Sequence, residues 1–478
     1  MIISTKKKIA KLQKQLSKAE NYQAWCKIAK EIDSFTNAEA WKSNDESSYY
    51  DFNLIRKHIN QIKEYRNNED IDKLILKLHS SLHRNMGDVT NPLLYKKTPT
   101  GTKKLISQYL DEVEKSIIYL CEQDFSLLSS QVKQDLLHQA NRNYGRSALL
   151  LSGGSTLGIF HLGVVKALWE NNLLPQILCG SSMGAIVAGG ICSRTDDELK
   201  ELFSKPENIY RHAFRIMSPL NFFKEKAIMD PKQIQTHIKE NVGNLTFLEA
   251  YQRTNRILNI SVAPTRPRQK PRVLNYMTAP NVYIYSATLA STAIPGLFPP
   301  VTLEAKNKYG ETVLYIPEDK WIDGTFGGDL PMTRISRLHN VNHFIVSQTN
   351  PHVIPFIATR SQKGIIPFFL DLLFSMSYNQ FFQAINVIRR RVNSNFGQLI
   401  LNYIYATGKQ EYLGDINIYP RFDPFMYRKV LSNPTIEDVE YFILEGQRST
   451  WPKLAMINDH TRVARTFQMC SEQLAVKE

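Results

Sequence analysis

The stretch ALLLSGGSTLG at residues 148–158 is a short apolar run that ends at a pair of glycines. The stretch QILCGSSMG at residues 176–184 is a second short apolar run, which ends at Gly180 and is followed by Gly184. Each run has the length and composition of a buried strand, and the residues that follow, Ile159 to Glu170 and Ala185 to Cys192, are typical of a packed helix. Two successive units of strand, glycine loop and helix predict an α/β domain with a mainly parallel sheet flanked by helices.

Three further apolar runs extend the predicted sheet, at Ile257 to Val262, Val282 to Ser286 and His343 to Gln348. We therefore expect the α/β domain to occupy residues 147–350. Between its second and third strands, a group of apolar residues predicts either core packing or the wall of an acyl-chain pocket. These residues are Phe214, Ile216, Met217, Leu220, Phe222 and Phe223.

Helices are predicted on both sides of this domain. Residues 1–143 are rich in Lys, Glu, Gln, Leu and Ile, and their apolar residues recur at helical spacing. Residues 351–478 predict a mostly helical extension. Within it, Pro367 to Arg391 has an amphipathic pattern that fits docking on this protein itself, on a membrane or on a partner.

The composition of the 478-residue chain narrows the class of protein. Hydrophobic residues make up 43% of it, which is enough for packed cores. The net charge of +14 suits either nucleic acid or anionic lipid, and because no nucleic-acid motif is present we expect a lipid partner and no nucleic acid. The five cysteines are widely spaced and form no C-x-x-C pair, which argues against a disulfide framework or a zinc site.

The sequence also predicts how the protein meets lipid. The first 18 residues contain lysines but no apolar segment of a secretory signal. No run of about 18 apolar residues occurs, so we expect no membrane-spanning helix. These features predict a cytoplasmic protein attached peripherally to a membrane or lipid droplet, and they leave a secreted bacterial effector open.

Gly180-x-Ser182-x-Gly184 matches the G-x-S-x-G pattern of a nucleophile elbow. A serine on a sharp strand-to-helix turn has a strained backbone, and small neighbours avoid clashes there. The turn also places the hydroxyl at a helix N-terminus, whose dipole favours developing negative charge. The pattern predicts Ser182 as a nucleophile, with Gly180 and Gly184 as the residues that allow the turn.

The first glycine loop, Ser152 to Gly158, admits several interpretations. It lacks the Lys-Ser/Thr ending of a P-loop, and it does not spell the dinucleotide pattern G-x-G-x-x-G. A plain tight turn and an oxyanion hole remain. In an oxyanion hole, adjacent glycines leave backbone N–H groups uncovered at a helix start, where they can donate to a tetrahedral intermediate.

A nucleophilic serine needs a base. None of the histidines that follow Ser182 has a persuasive context, and we expect His339, His343 and His352 to be structural or exposed. Asp323 is the better candidate, because the glycine-rich turn after it can bring its carboxylate close to another loop.

These three elements, in this order, resemble the patatin-like phospholipase family, and in particular its branch of lipid-droplet triacylglycerol lipases in fungi and plants. The resemblance extends along most of the chain. The segments that carry it are AWKSNDESSYYDFNLI (40–55), RNMGDVTNPLLYKKTPTGTKKLI (84–106), ALLLSGGSTLGIFHLGVVKAL (148–168), GSSMGAIVAGGI (180–191), LNYMTAPNVYIYSATLASTAIPGLFPPVTL (274–303), WIDGTFGGDLPM (321–332) and GDINIYPRF (414–422).

The resemblance implies a patatin-like fold and a serine acyl hydrolase of the triacylglycerol lipase or phospholipase A type. It implies Ser182 as the nucleophile and Asp323 as the base. The backbone of Gly153, Gly154 and Ser155 would form the oxyanion hole. The resemblance implies neither a metal nor a cofactor, and it leaves a protein activator open.

One departure concerns the first glycine loop. Many patatins carry Arg or Lys there, where this chain has Thr156-Leu157, and the lipid-droplet branch tends to lack the basic residue too. His161, one turn into the following helix, resembles a residue of that branch, and we expect it to pack rather than to catalyse.

The sequence leaves alternatives open for the substrate and for the reaction. The apolar segment Ile294 to Val301 flanks the inferred site and favours a long-chain lipid ester. The same Ser–Asp dyad could pass the acyl group to a lysophospholipid instead of water. A non-catalytic lipid-surface protein is the alternative from outside the enzymes.

Overall fold

Helices dominate both ends of the chain, and helices alternate with strands in its middle. The computed structural model describes residues 2–80, 82–123, 129–217, 227–266, 269–324, 330–351, 353, 380, 383–388, 401, 413–421, 423 and 426–476. Their helices are α1 (Ile2–Leu16), α2 (Tyr22–Phe35), α3 (Ala38–Ser43), α4 (Phe52–Asn67), α5 (Ile71–Ser80), α6 (Lys104–Glu122), α7 (Ser130–Tyr144), α8 (Phe160–Glu170), α9 (Met183–Cys192), α10 (Asp196–Ser204), α11 (Pro231–Val242), α12 (Phe247–Thr254), α13 (Ile284–Ser291), α14 (Met332–His339), α15 (Ile436–Thr450) and α16 (Leu454–Val476). Their strands are β1 (Arg146–Leu151), β2 (Ile177–Gly180), β3 (Ile257–Pro264), β4 (Arg272–Leu274), β5 (Glu304–Lys306), β6 (Thr312–Leu314), β7 (Trp321–Asp323), β8 (Val341–Ser347) and β9 (Ile416–Ile418).

The residues group by their contacts into two compact units. The helical unit comprises residues 1–147, 338–343 and 450–478, and the α/β unit comprises residues 148–337 and 344–449. The extension predicted at residues 351–478 is thus split between the two units, with the boundary at residue 450. The predicted domain bounds themselves stay a prediction.

The core of the helical unit is built on helical periodicity. Ile55, Ile59 and Ile62 share one face of α4, and each is at most 5% exposed. They belong to one buried cluster with Val113 of α6 and Phe467 of α16. The helices predicted at both ends of the chain are confirmed.

In the α/β unit, seven described strands form one sheet in the order β4-β3-β2-β1-β8-β9, with β7 paired to β3. β1, β2 and β3 run parallel, as do β8 and β9, whereas β4 and β7 are antiparallel to β3. Every residue of β2 and β3 is buried, as is usual in parallel sheets that are covered on both faces. The mainly parallel sheet of the prediction is confirmed.

The strand predicted at Val282 to Ser286 is wrong. Val282 makes only an isolated bridge to Ala305, and helix α13 begins at Ile284. The β-branched and aromatic side chains favour a strand locally, but the small residues that follow let α13 pack against α9. Gly189 of α9 leaves room there for the side chain of Ile284. Tertiary packing therefore overrides the local preference.

Two further predictions fall on residues outside the described set. They concern Leu220, Phe222 and Phe223, and almost the whole amphipathic segment from Pro367 to Arg391. Among the helices that are described, none combines the length and the apolarity that crossing a bilayer requires.

Candidate active site

Ser182 occupies the sharp turn between β2 and α9. Its backbone angles are φ 52° and ψ −122°, a conformation that residues other than glycine rarely adopt. The turn brings its two arms together, so that a Cβ at Gly180 would clash with the backbone of Gly184. A Cβ at Gly184 would clash with the carbonyl of Leu151. This is the geometry of a nucleophile elbow, and close backbone approach explains both glycines of the motif.

A neighbouring helix holds this strained turn. The backbone N–H of Ser182 donates a hydrogen bond of 3.1 Å to the Oγ of Ser291, the last residue of α13. Ser182 is only 7% exposed, and Ser291 is fully buried. Because a buried N–H without an acceptor costs about 1–3 kcal/mol, the hydroxyl of Ser291 stabilises the turn.

Asp323 ends β7, and strand register places it beside the elbow. Val262 of β3 is paired with β4 on one edge and with Asp323 on the other. The edge that carries Asp323 also carries β2, because Ile260 has β4 on one side and Gly180 on the other. β7 therefore lies on the same side of β3 as β2. β2 ends at Gly180 opposite Ile260, and Asp323 of β7 pairs with Val262, two residues further along β3. At about 3.3 Å per residue, the Cα atoms of Gly180 and Asp323 lie about 7 Å apart along the direction of β3.

The backbone around Asp323 is fixed by close contacts. Asp323 is fully buried, and its N–H donates to the carbonyl of Ala293 over 3.1 Å. A Cβ at Gly324 would clash with Ser261, so the Asp–Gly pair is needed for the approach to β3. Ala293 follows two residues after Ser291, so one short segment holds the backbones of both proposed dyad residues.

The first glycine loop lies against the elbow. It leaves β1 and continues into a 3-10 turn at Ser155–Ile159. A Cβ at Gly158 would clash with the side chain of Met183, the residue after Ser182. On the loop's other side, a Cβ at Gly154 would clash with Thr349. The predicted oxyanion loop is therefore in contact with the elbow.

An apolar pocket opens at Ser182. It encloses about 1010 Å³ of space, part of which is open to solvent. One face of α9, extended by the arginine that follows, lines it with residues three or four positions apart: Met183, Ile186, Val187, Gly190, Ile191 and Arg194. At 1.5 Å per residue, this wall runs for more than about 12 Å from the serine. Ile294, Leu297 and Phe298 also line the pocket, from the apolar segment that was expected to flank the site.

A non-helical segment, residues 209–214, forms another part of the pocket wall. Two asparagines hold it by its backbone. Asn241 of α11 bonds the N–H of Tyr210 at 3.2 Å and its carbonyl at 2.9 Å. Asn433 bonds the N–H and the carbonyl of Phe214, both at 2.8 Å. Because Phe214 lines the pocket, the wall interpretation of this apolar residue is the better one.

The histidines considered as bases are placed elsewhere. His339 and His343 are buried residues of the helical unit, and His352 lies outside the described residues. Burial lowers the pKa of His339 to about 4. Burial, together with the nearby Arg84, holds the pKa of His343 well below its usual range. Both imidazoles are therefore uncharged at neutral pH, as packed structural histidines are.

The sequence patterns did not single out Ser291 or Thr349. Ser291 belongs to the helix whose start was predicted as a strand, so its place next to the elbow was hidden. Thr349 directly follows the strand predicted at His343 to Gln348. Because the carboxyl ends of parallel strands meet at one edge of the sheet, this position was a detectable signal.

Two models of protein families match the chain. The model described as patatin-like phospholipase matches residues 149–334, which contain the elbow, the glycine loop and Asp323. A domain of unknown function, DUF3336, matches residues 2–142.

Curated relatives match nearly the whole chain. It is 34% identical to triacylglycerol lipase 4 of Saccharomyces cerevisiae, over 95% of this chain and 52% of that protein. It is 34% identical to triacylglycerol lipase SDP1L of Arabidopsis thaliana, over 95% and 57% respectively. It is 32% identical to a patatin-like phospholipase domain-containing protein of Aspergillus terreus, over 96% and 68%. The chain spans about half to two thirds of the length of these relatives, and its similarity to them, with the matching domain model, shows that it belongs to the patatin-like phospholipase family.

Proposed function

We propose that this chain is a serine hydrolase that cleaves long-chain acyl esters of lipids through a Ser182–Asp323 dyad. One observation carries the proposal. Ser182 sits on a strained elbow at the end of β2, Asp323 lies just beyond the end of that strand, and an apolar pocket opens at the serine. A nucleophile, a base and a place for an acyl chain then lie together.

The chemistry follows from these positions. Asp323 accepts the hydroxyl proton of Ser182 as the oxygen attacks the acyl carbon, and the proton passes to the departing alcohol when the ester C–O bond breaks. Water then attacks the acyl-enzyme, releases the fatty acid and restores the serine.

The negative charge that develops on the acyl oxygen needs hydrogen-bond donors. Backbone N–H groups of Gly153, Gly154 and Ser155 are proposed to supply them, since their loop packs against Met183 through Gly158. Ser182 is also the N-cap residue of α9, so the positive end of the helix dipole faces the same oxygen. Groups that are held in place before the reaction stabilise such a charge most effectively.

The pocket supports a long-chain acyl substrate. Its wall along α9 is apolar for more than about 12 Å, which suits a long hydrocarbon chain better than a polar acyl group. Two of the relatives are named triacylglycerol lipases. An acylglycerol or a phospholipid is the substrate we propose.

Such substrates are insoluble, so we also propose that the protein attaches peripherally to a membrane or lipid-droplet surface. Lys7, Lys11 and Lys14 are exposed on one face of α1, while Leu12 on another face is buried. The spacing of four and three residues places the lysines in one stripe. A stripe of this kind is attracted to anionic lipid headgroups.

The test compares hydrolysis of triacylglycerol emulsions and phosphatidylcholine vesicles by the wild type, Ser182→Ala and Asp323→Asn. We expect both variants to lose at least about 10³-fold in kcat. Ser181→Ala and Asp319→Asn are matched controls, one next to the serine and the other on the loop before β7, and both should keep activity. Equal activity in the wild type and Ser182→Ala would contradict the proposal, and added lysophospholipid would reveal acyl transfer by its product.

A further inference from the structure

A buried hydrogen-bond network lies behind the first glycine loop. His161 of α8 is at its centre and is fully buried. Its Nδ1 lies 2.7 Å from the Oγ of Ser347, and its Nε2 lies 2.9 Å from the carbonyl oxygen of Ser152. The same Nε2 lies 3.0 Å from the Oγ1 of Thr349.

The partners of His161 determine its protonation. A carbonyl oxygen can only accept, so Nε2 carries the proton and donates to Ser152. Nδ1 then accepts from the hydroxyl of Ser347. Burial lowers the pKa of His161 to about 4, so this neutral form is present throughout the neutral range.

The carbonyl of Gly153, the next one in the loop, is also held by hydrogen bonds. The oxygen of Gly153 accepts from the Oγ1 of Thr349 at 2.9 Å and from the Oγ of Ser152 at 2.8 Å. The backbone N–H of Thr349 donates in turn to the Oγ of Ser152 at 2.8 Å. Two consecutive carbonyls of the loop therefore point into the same buried network.

The direction of these carbonyls determines the direction of two N–H groups. In a trans peptide the N–H points opposite to the C=O of the same plane, and the described chain contains no cis peptide. The N–H of Gly153 is thus aimed away from His161, and the N–H of Gly154 is aimed away from Thr349. Ser155, the residue that follows these two glycines, lines the pocket together with Ser182.

We propose that His161 and Thr349 are positioning residues that aim the N–H groups of Gly153 and Gly154 at the acyl oxygen by holding the carbonyls of Ser152 and Gly153. The inference rests on the proposed function, because it concerns the oxyanion hole of that reaction. Two adjacent glycines form a backbone that can rotate freely between several conformations. The network removes this freedom before substrate arrives, which is the condition for strong stabilisation of a developing charge.

The experiment uses two pairs of variants. His161→Leu removes the donor to the Ser152 carbonyl, and Thr349→Val removes one of the two donors to the Gly153 carbonyl. His161→Gln and Thr349→Ser keep a donor at a similar position. Steady-state kinetics on a lipid ester, the rate at which a fluorophosphonate labels Ser182, and thermal unfolding are measured for each. The fluorophosphonate reports on the same hole without lipid, because its adduct places a phosphoryl oxygen where the acyl oxygen would lie.

We expect His161→Leu and Thr349→Val to lower kcat by about 10- to 100-fold with KM changed less than about 2-fold, since one lost oxyanion donor costs about 10²–10³ in kcat. Fluorophosphonate labelling should slow in parallel, and the conservative variants should recover most of both rates. Unchanged kcat in both donor-lacking variants, or lower thermal stability alone, would overturn the inference.

Two outcomes separate this inference from the proposed function. If wild type and Ser182→Ala hydrolyse lipid equally, the proposed function fails. If wild type is active and depends on Ser182 while His161→Leu and Thr349→Val both keep full kcat, only the positioning role fails. Should His161→Leu not fold, the comparison of Thr349→Val with Thr349→Ser decides the question, because both keep a side chain of similar size.

Discussion

The backbone N–H of Ser182 donates to the hydroxyl of Ser291 over 3.1 Å, which ties the proposed nucleophile to the end of α13. Two residues later, the carbonyl of Ala293 accepts the N–H of Asp323. The segment at the end of α13 thus fixes the relative positions of Ser182 and Asp323, which are 141 positions apart in the chain. A substitution in this segment should lower kcat more than it weakens lipid binding.

Ser291→Ala should therefore lower kcat by about 10-fold while KM changes little, because the N–H of the strained elbow loses its acceptor and the serine hydroxyl moves from its attacking position. Ser286→Ala is the matched control. Ser286 is buried in the same helix, and its Oγ accepts the N–H of Glu304 over 2.8 Å, away from the elbow. Both variants should lose about 1–2 kcal/mol in urea unfolding, and only Ser291→Ala should lose kcat. Equal kinetic losses in the two variants would contradict the role of Ser291.

Gly190→Leu should shorten the acyl chain that the protein accepts. Gly190 lines the pocket eight residues after Ser182, and an added Cβ there would lie 3.1 Å from the carbonyl oxygen of Asn241 and 3.3 Å from the guanidinium of Arg194, two residues that also line the pocket. A leucine must displace these neighbours slightly, and it fills the part of the pocket that lies about 12 Å from the serine. We expect kcat/KM on long-chain esters to fall by about 10-fold or more, because each methylene excluded from an apolar pocket is worth about 1–3 kcal/mol. Short-chain esters of the same alcohol should be hydrolysed at the wild-type rate.

Gly189→Ala is the control for that prediction. Gly189 is the preceding residue of α9, and its added Cβ would meet Ile284 and Val242, each at 3.2 Å, rather than the pocket. It should leave the ratio of long-chain to short-chain rates unchanged. A parallel loss on all chain lengths in Gly190→Leu would show that the pocket does not hold the acyl chain.

Changing Lys7, Lys11 and Lys14 together to Gln should weaken binding to vesicles that contain anionic phospholipid. With about 1 kcal/mol for each lysine near such a surface, the loss should reach about 100-fold at low salt and shrink as salt is added. Hydrolysis of a soluble short-chain ester should not change. Vesicle sedimentation measures the first quantity, and a chromogenic assay measures the second.

A control for this charge change uses lysines on other helices of the same unit. They are the exposed Lys30, Lys57 and Lys73, changed together to Gln. The control has the same net charge as the α1 variant. If both variants lost vesicle binding equally, the attraction would come from the overall charge of +14 and not from the α1 stripe.

Acid should destabilise the protein through its buried histidines. Burial lowers the pKa of His161 to about 4, against about 6.5 in an unfolded chain. The unfolded state therefore binds more protons than the folded state between these two values. The stability contributed by neutral His161 is complete above about pH 6.5 and is lost as the pH falls towards 4. Burial lowers the pKa to about 4 in the same way for His58, His237 and His339.

We expect Tm to fall steadily as the pH is lowered from 7 to 5, while the pH profile of kcat shows no inflection from His161. His161→Gln cannot titrate, so its Tm should fall less over this range than that of the wild type. His138→Gln changes an exposed histidine and should follow the wild-type curve. An identical slope in all three proteins would show that the protonation of His161 is not linked to folding.

Much of the fold could be predicted from local sequence patterns. Apolar runs that end at glycines located β1 and β2 within two residues, and β3 and β8 were found from composition alone. These predictions succeed because a strand buried on both faces must be apolar along its whole length. The strand predicted at Val282 to Ser286 failed, since its side chains favour a strand and only packing against α9 makes the segment helical.

The sequence by itself determined the α/β class and the candidates Ser182, Asp323 and the glycine loop, because the elbow and the Asp–Gly turn depend on small residues at fixed local spacing. The tertiary structure decided which distant groups meet. The pairing of β7 with β3 places Asp323 just beyond the end of β2, and a hydrogen bond joins Ser182 to Ser291. Two carbonyls of the glycine loop accept hydrogen bonds from His161 and Thr349. Strand pairing and side-chain hydrogen bonds connect residues far apart in the chain, and no local pattern of residue types specifies those partners.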